Sequence, residues 1–182
     1  MSLAIRELTP GFVGEVSGVD ITEPLTSEQV AALEAGMDRY AVLVYHGQEF
    51  TDDQQKRFSR YFGSLEATAG GNVTKDKDRR LDADMADVSN LGADHKPLAR
   101  DDRRRLFNLG NQLWHSDSSF RAVPAKYSLL SGRTVVDKGG NTEFADMRAA
   151  YDALDAATKT EIEHLVCEHS LIYSRGTLGF TE

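Results

Sequence analysis

Cysteine is almost missing from this 182-residue sequence: Cys167 stands alone, so no internal disulfide can form. Long apolar runs are missing as well. The longest, residues 41–45, is far too short to cross a bilayer. The opening MSLAIRELTPGF has no basic segment leading into an apolar one, so no signal peptide is read. Basic residues are outnumbered, giving a net charge of -8 and a pI near 5.1, which argues against a general nucleic-acid binder. No GxGxxG or P-loop pattern supports nucleotide chemistry, and no GxSxG elbow supports a serine hydrolase. There is no internal repeat and, with four prolines, no Pro-rich linker. What remains is one globular domain over residues 1–182, with 40% hydrophobic residues to build a core. The expected location is the cytoplasm, where thiols stay reduced, with no membrane and no nucleic acid as partner.

The first third reads as mixed α/β. Gly11, Gly14 and Gly18 punctuate a strand-like start whose apolar members are Phe12, Val13, Val16 and Val19. Thr26 and Gln29 fit a capping box before a helix with Val30, Leu33 and Met37 at helical spacing. Residues 41–45 read as a buried strand ended by Gly47. Thr51 and Gln54 repeat the capping box before a helix that carries Phe58, Tyr61 and Phe62, with Gly63 as its stop.

Residues 66–105 break the periodicity. Between positions 75 and 105 lie nine Lys or Arg against eight Asp, a local balance of +1 in an otherwise acidic chain. One reading is a solvated mixed-charge loop, and the other is a lid whose cations meet an anionic substrate. Within it, residues 86–91 suit a short strand. Further on, residues 111–120, 127–136 and 166–173 read as strands, and residues 142–145 as a brief one after a Gly139-Gly140 turn. Asp146 and Asp155 are placed to cap two helices, and residues 176–182 read as a loop.

His115 and Asp117 are the pair that suggests chemistry. Side chains at i and i+2 of an extended segment share a face, so an imidazole and a carboxylate converge there. Two histidines and one carboxylate with open positions form the ligand set of non-haem Fe(II) oxygenases. The spacing alone has little specificity, since the chain holds 17 Asp and 5 His. A plain His-Asp hydrogen bond stays open as the alternative.

The neighbouring residues add more. The stretch LWHSDSSF (residues 113–120) resembles the metal-binding segment of the taurine/2,4-dichlorophenoxyacetate (TauD/TfdA) dioxygenase family. GGNTEFADMRAAYDAL (139–154) resembles its glycine turn, threonine and helix. VLVYHGQ (42–48) and FSRYFGSL (58–65) are similar to its N-terminal part. The wording is closest to the phenoxyacetate branch. The resemblance implies an α+β fold: a double-stranded β-helix, or jelly roll, with flanking helices, incomplete at its C-terminus. It implies Fe(II) as cofactor with 2-oxoglutarate and O2 as cosubstrates. It gives His115 and Asp117 to the metal and Thr142 to a 2-oxoglutarate carboxylate. It gives Asn111 and Lys96 to the substrate. Without the family, Thr142 reads as an ordinary strand threonine, Asn111 as a turn cap, and Trp114 as core packing. The expected reaction is hydroxylation of a small anionic molecule. An aryloxyalkanoate such as 2,4-dichlorophenoxyacetate leads, and a sulfonate such as taurine follows. Asp117 argues for hydroxylation, because related halogenating enzymes carry a small residue there. A zinc hydrolase or a non-catalytic jelly-roll module remains as an alternative from another class.

The family also requires a second histidine ligand and a following arginine. His46, His95, His164 and His169 do not stand where that histidine belongs. His164 reads as a helix-surface residue and His169 as one satisfied within a strand, while Arg175 comes too early for the arginine. The chain is therefore expected to be an N-terminal portion that folds poorly and shows no turnover by itself. A homo-oligomer is compatible with the sequence, which does not report oligomeric state.

Overall fold

The computed structural model describes residues 2–67, 74–177 and 179. They divide into two compact units, Met1–Ser64 with Leu129–Leu165, and Leu65–Ser128 with Val166–Glu182.

The first unit is built on a three-stranded sheet in the order β1-β2-β3. Strand β1 (Ala4–Thr9) pairs antiparallel with β2 (Val13–Ser17), and β2 pairs parallel with β3 (Val42–Tyr45). A parallel pair needs a crossover, and α1 (Ser27–Tyr40) supplies it. Its start is the expected box: Thr26 Oγ accepts from the Gln29 amide at 3.2 Å while Gln29 Oε1 accepts from the Thr26 amide at 2.9 Å. Helix α2 (Asp52–Ser59) opens the same way on Thr51 and Gln54. Val16, Ile21, Leu33 and Phe58 form the buried centre, and Leu33 is fully enclosed. Tyr45 and Phe62 meet Phe58 edge-on at 5.8 and 5.4 Å. Strand β1 was not legible in advance, because its face carries exposed charge (Arg6 bonded to Glu15 of β2) instead of an apolar alternation.

Two short helices follow in this unit, α4 (Met147–Asp152) and α5 (Ala156–Ile162), capped by Asp146 and Asp155 as their positions suggest. Arg148 ties α4 to α1. It donates to the carbonyls of Asp38 and Arg39 at 3.2 Å each and to that of Gly11 at 3.0 Å. The last carbonyls of α1 lack partners within their own helix, so this guanidinium saturates them. The hydrogen bond from Arg148 also holds the Asp146 carboxyl below its ordinary range.

The second unit holds α3 (Arg103–Asn108), a 3-10 turn over Leu109–Gln112, and α6 (Leu171–Gly176). The long stretch expected as a lid carries local structure. Arg80 grips Asp87 with two bonds, of 2.7 and 2.6 Å, and also donates to Ser89. Residues 90–98 fold back on themselves through an isolated bridge between Leu91 and Pro97, and Gly92 donates to the Lys96 carbonyl at 2.8 Å. Residues 68–73 of that stretch lie outside the described residues, as do 178 and 180–182 of the final loop.

Several expected strands are absent. Residues 111–120, 127–136 and 142–145 carry no ladder among the described residues, and neither do 86–91 beyond the single bridge. Backbone becomes a strand only when a neighbour takes up its N–H and C=O groups, and none of the described residues does so here. The Gly139-Gly140 turn is present, both residues having positive φ (75° and 69°). Residues 166–173 are not a strand either. Ser170 accepts from the Tyr173 amide and starts α6 instead, so His169 precedes a helix, and His164 lies in a turn after α5.

Candidate metal centre

Gly110 ends the approach to the site in a 3-10 turn, after which Leu113 turns extended with φ -86° and ψ 144°. Residues 114–116 continue without regular structure, and a turn begins at Asp117. The extended stretch is short, yet it suffices for the i, i+2 relationship. His115 Nε2 lies 3.2 Å from Asp117 Oδ1. Both side chains are reachable from solvent, 45% and 60% exposed, so an ion can enter.

The other atom of each group is already engaged. His115 Nδ1 lies 2.6 Å from the Leu113 carbonyl, which can only accept, so Nδ1 carries the proton. Ser128 Oγ donates to Asp117 Oδ2 at 2.7 Å. Nε2 and Oδ1 are therefore the free donor atoms, and they face each other. A lone pair and a carboxylate oxygen at that separation repel unless a cation, a proton or a metal ion, lies between them. The outer atoms are held as in protein metal sites, where a ligating histidine gives its second N–H to a carbonyl. Among the described residues, no group of three or more His, Cys, Asp and Glu is placed to hold a metal.

Ser128 was invisible to sequence reading, because it stands eleven positions from Asp117 and no local pattern links the two. The turn after Asp117 is also fixed by residues the sequence did not flag. Ser118 adopts a positive φ of 57° and donates to Glu66 at 2.9 Å, and Arg121 pairs with the same carboxylate at 2.7 Å.

Asn111 lies in the 3-10 turn of the same unit, its Oδ1 accepting from Arg175 Nη2 at 3.2 Å. Lys96 is exposed in the 90–98 fold-back of that unit. Thr142 belongs to the first unit, exposed, two residues after the Gly-Gly turn and four before the Asp146 cap. Trp114 corrects an expectation: it is 69% exposed instead of packed, since no described element covers the indole. A separate depression of about 380 Å³ is lined by Lys75, Lys77, Arg103 and Arg104 together with Asp78 and Asp102, and His115 and Asp117 are not among its walls.

An imidazole and a carboxylate two residues apart thus have their inner atoms facing each other and their outer atoms engaged. The chain belongs to the taurine catabolism dioxygenase TauD, TfdA family, whose pattern matches residues 4–181. It is 45% identical to the alpha-ketoglutarate-dependent 2,4-dichlorophenoxyacetate dioxygenase of Cupriavidus pinatubonensis, over 100% of this chain and 63% of that protein. The crystal structure of AAD-2 in complex with Mn(II) and N-oxalylglycine is similar at 64% identity and a TM-score of 0.92, over 100% of this chain and 63% of that one. A putative alpha-ketoglutarate dependent 2,4-D dioxygenase from Burkholderia xenovorans is 29% identical with a TM-score of 0.74, over 100% of this chain and 58% of that one. The chain thus spans a little under two thirds of the length of these relatives. Among the described residues, no helix is long and apolar enough to cross a membrane.

Proposed function

We propose that the complete protein is an Fe(II)- and 2-oxoglutarate-dependent dioxygenase acting on a small anionic aryloxyalkanoate such as 2,4-dichlorophenoxyacetate. The 3.2 Å approach of His115 Nε2 to Asp117 Oδ1 carries this reading. Two adjacent ligands each about 2.1 Å from one ion stand about 3 Å apart, so the pair is already spaced for one metal. A hard carboxylate with an imidazole suits Fe(II). The second histidine and a 2-oxoglutarate-binding arginine belong to the rest of the complete protein. So do the strands that pair with the extended segments of residues 111–145 to close a jelly roll. The exposed Val135, Val136 and Phe144 fit such a covering.

The relatives support the choice of cosubstrate and substrate. N-oxalylglycine is 2-oxoglutarate with an N–H in place of one methylene, and Mn(II) is a divalent ion of similar ligand preference. When bound, Fe(II) with 2-oxoglutarate and O2 supplies the oxidation that puts one oxygen atom into the C–H bond beside the ether oxygen, releasing succinate and CO2. The resulting hemiacetal falls apart to a phenol and an oxoacid. His115 and Asp117 hold the ion, with Nδ1 of His115 fixed by the Leu113 carbonyl. Thr142 donates its hydroxyl to a 2-oxoglutarate carboxylate, which the Cβ-free Gly139-Gly140 turn lets approach. Asn111 and Lys96 meet the substrate anion, and residues 66–105 act as its lid. The lone, exposed Cys167 fits a reducing compartment such as the cytoplasm.

The full-length protein, supplied with Fe(II), 2-oxoglutarate and air, is offered 2,4-dichlorophenoxyacetate or taurine in separate reactions. Succinate and phenol released in equal amounts with the first is the expected result. Succinate with taurine alone would reassign the substrate. No succinate with either, and no Fe(II) bound, would favour a non-catalytic module.

A further inference from the structure

Arg175 of α6 reaches back to the segment that leads into His115 and Asp117. Its guanidinium lies over the Phe107 ring, 4.6 Å from the centroid, and Nη2 donates to Asn111 Oδ1 at 3.2 Å. On the other side is Gly110, which is buried. A Cβ there would occupy the space of the Arg175 guanidinium, so this glycine is required by close approach and not by its φ. Burial lowers the proton affinity of the Arg175 guanidinium from its ordinary value. The arrangement is a slot made by a ring and a bare backbone, with one planar cation in it.

A guanidinium has only donors, so the Asn111 atom it faces must be the carbonyl oxygen. This settles which way the amide points. With Oδ1 turned toward the guanidinium, the NH2 group points the opposite way, and an NH2 group only donates. We infer that Arg175 is a positioning residue that locks the Asn111 amide with its NH2 turned outward, so that Asn111 binds a substrate through an acceptor oxygen. The ligand chemistry follows: the outward NH2 group matches a carboxylate or ether oxygen, whereas a donor such as an ammonium group finds no partner in it. The inference rests on the proposed assignment of Asn111 to the substrate.

Binding of 2,4-dichlorophenoxyacetate to the full-length, Fe(II)- and 2-oxoglutarate-loaded protein without oxygen, followed by calorimetry, tests this directly. Arg175→Lys loses the planar donor, and Gly110→Ala fills the slot. Each is expected to weaken substrate binding roughly tenfold, the loss of one hydrogen bond to a charged acceptor. Binding of 2-oxoglutarate itself stays unchanged. In an Asn111→Ala background, neither change weakens substrate binding further, because the group it orients is gone. A merely structural Arg175 gives the opposite pattern: the same loss with and without Asn111, or a fall in both ligands' affinities. Either of those results overturns the inference. A wild-type protein that binds no aryloxyalkanoate at all overturns the substrate assignment first and this inference with it, and is told apart because no variant is needed to see it.

Discussion

Nε2 of His115 and Oδ1 of Asp117 face each other at 3.2 Å, while the second heteroatom of each side chain is already engaged by the Leu113 carbonyl and the Ser128 hydroxyl. The pair is held ready from outside and open on the inside. His115→Ala and Asp117→Ala should therefore each lower Fe(II) affinity and 2-oxoglutarate turnover in the full-length protein by on the order of a hundredfold or more, beyond what loss of an outer partner costs. Neither should move the melting temperature by more than a degree or two, since exposed positions contribute little to stability. A large drop in melting temperature would make the pair a structural hydrogen bond.

Ser128→Ala isolates the outer contact. The Asp117 carboxylate keeps its charge and loses only the hydrogen bond that orients Oδ2. Fe(II) affinity should fall roughly ten- to hundredfold, with the substrate preference intact. Titration of the apo-protein with Fe(II) under argon measures this.

The Arg80–Asp87 pair gives residues 80–98 a dependence on acid. Burial by itself would raise the Asp87 carboxyl, but the bonds from Arg80 and Ser89 and the attraction of Arg80 outweigh it and hold the group below its ordinary value. A carboxyl depressed in the folded state contributes stability above its unfolded pKa of about 3.9 and loses it as pH falls through the lower, folded value. Protection of the residue 80–98 amides, relative to the intrinsic exchange rate at each pH, should be high near neutrality and fall below about pH 4. In Asp87→Asn protection should be low and flat across that range. Equal protection of both proteins at neutral pH would dismiss the pair as the source of order in this segment.

Arg148 anchors the segment that carries Thr142. Arg148→Met removes the bonds to Asp38, Arg39 and Gly11 while keeping most of the side chain's bulk. It should cost roughly 1 kcal/mol of stability. If Thr142 meets 2-oxoglutarate, KM for 2-oxoglutarate should rise severalfold with kcat nearly kept. Thr142→Ala should raise the same KM without lowering the melting temperature. Steady-state kinetics and thermal unfolding of the two variants separate anchoring from contact.

Legibility in the sequence followed the range of the interactions. The two capping boxes, the Asp146 and Asp155 caps, the strand at Val42–Tyr45 and the Gly-Gly turn were all readable, because each is decided within about four residues. Strand β1 was not, since its only reason to be extended is its partner β2. Residues 111–120, 127–136 and 166–173 have strand-like composition, and the described residues hold no neighbour to pair with them. In the last of these a local cap, Ser170, prevails and a helix forms.

The candidate site divides the same way. An i, i+2 imidazole and carboxylate converge whenever the backbone between them is extended, so the chain's own sequence determined that His115 and Asp117 meet, and its motifs determined the family. Only the tertiary structure decided which nitrogen of His115 is free, that Ser128 holds Asp117, and that Arg175 fixes the amide of Asn111. Ser128 stands 11 residues from Asp117 and Arg175 stands 64 from Asn111. Partners so far apart carry no periodic signal, and they are chosen by folding, when a buried or facing polar atom must find whatever donor the packing brings within reach.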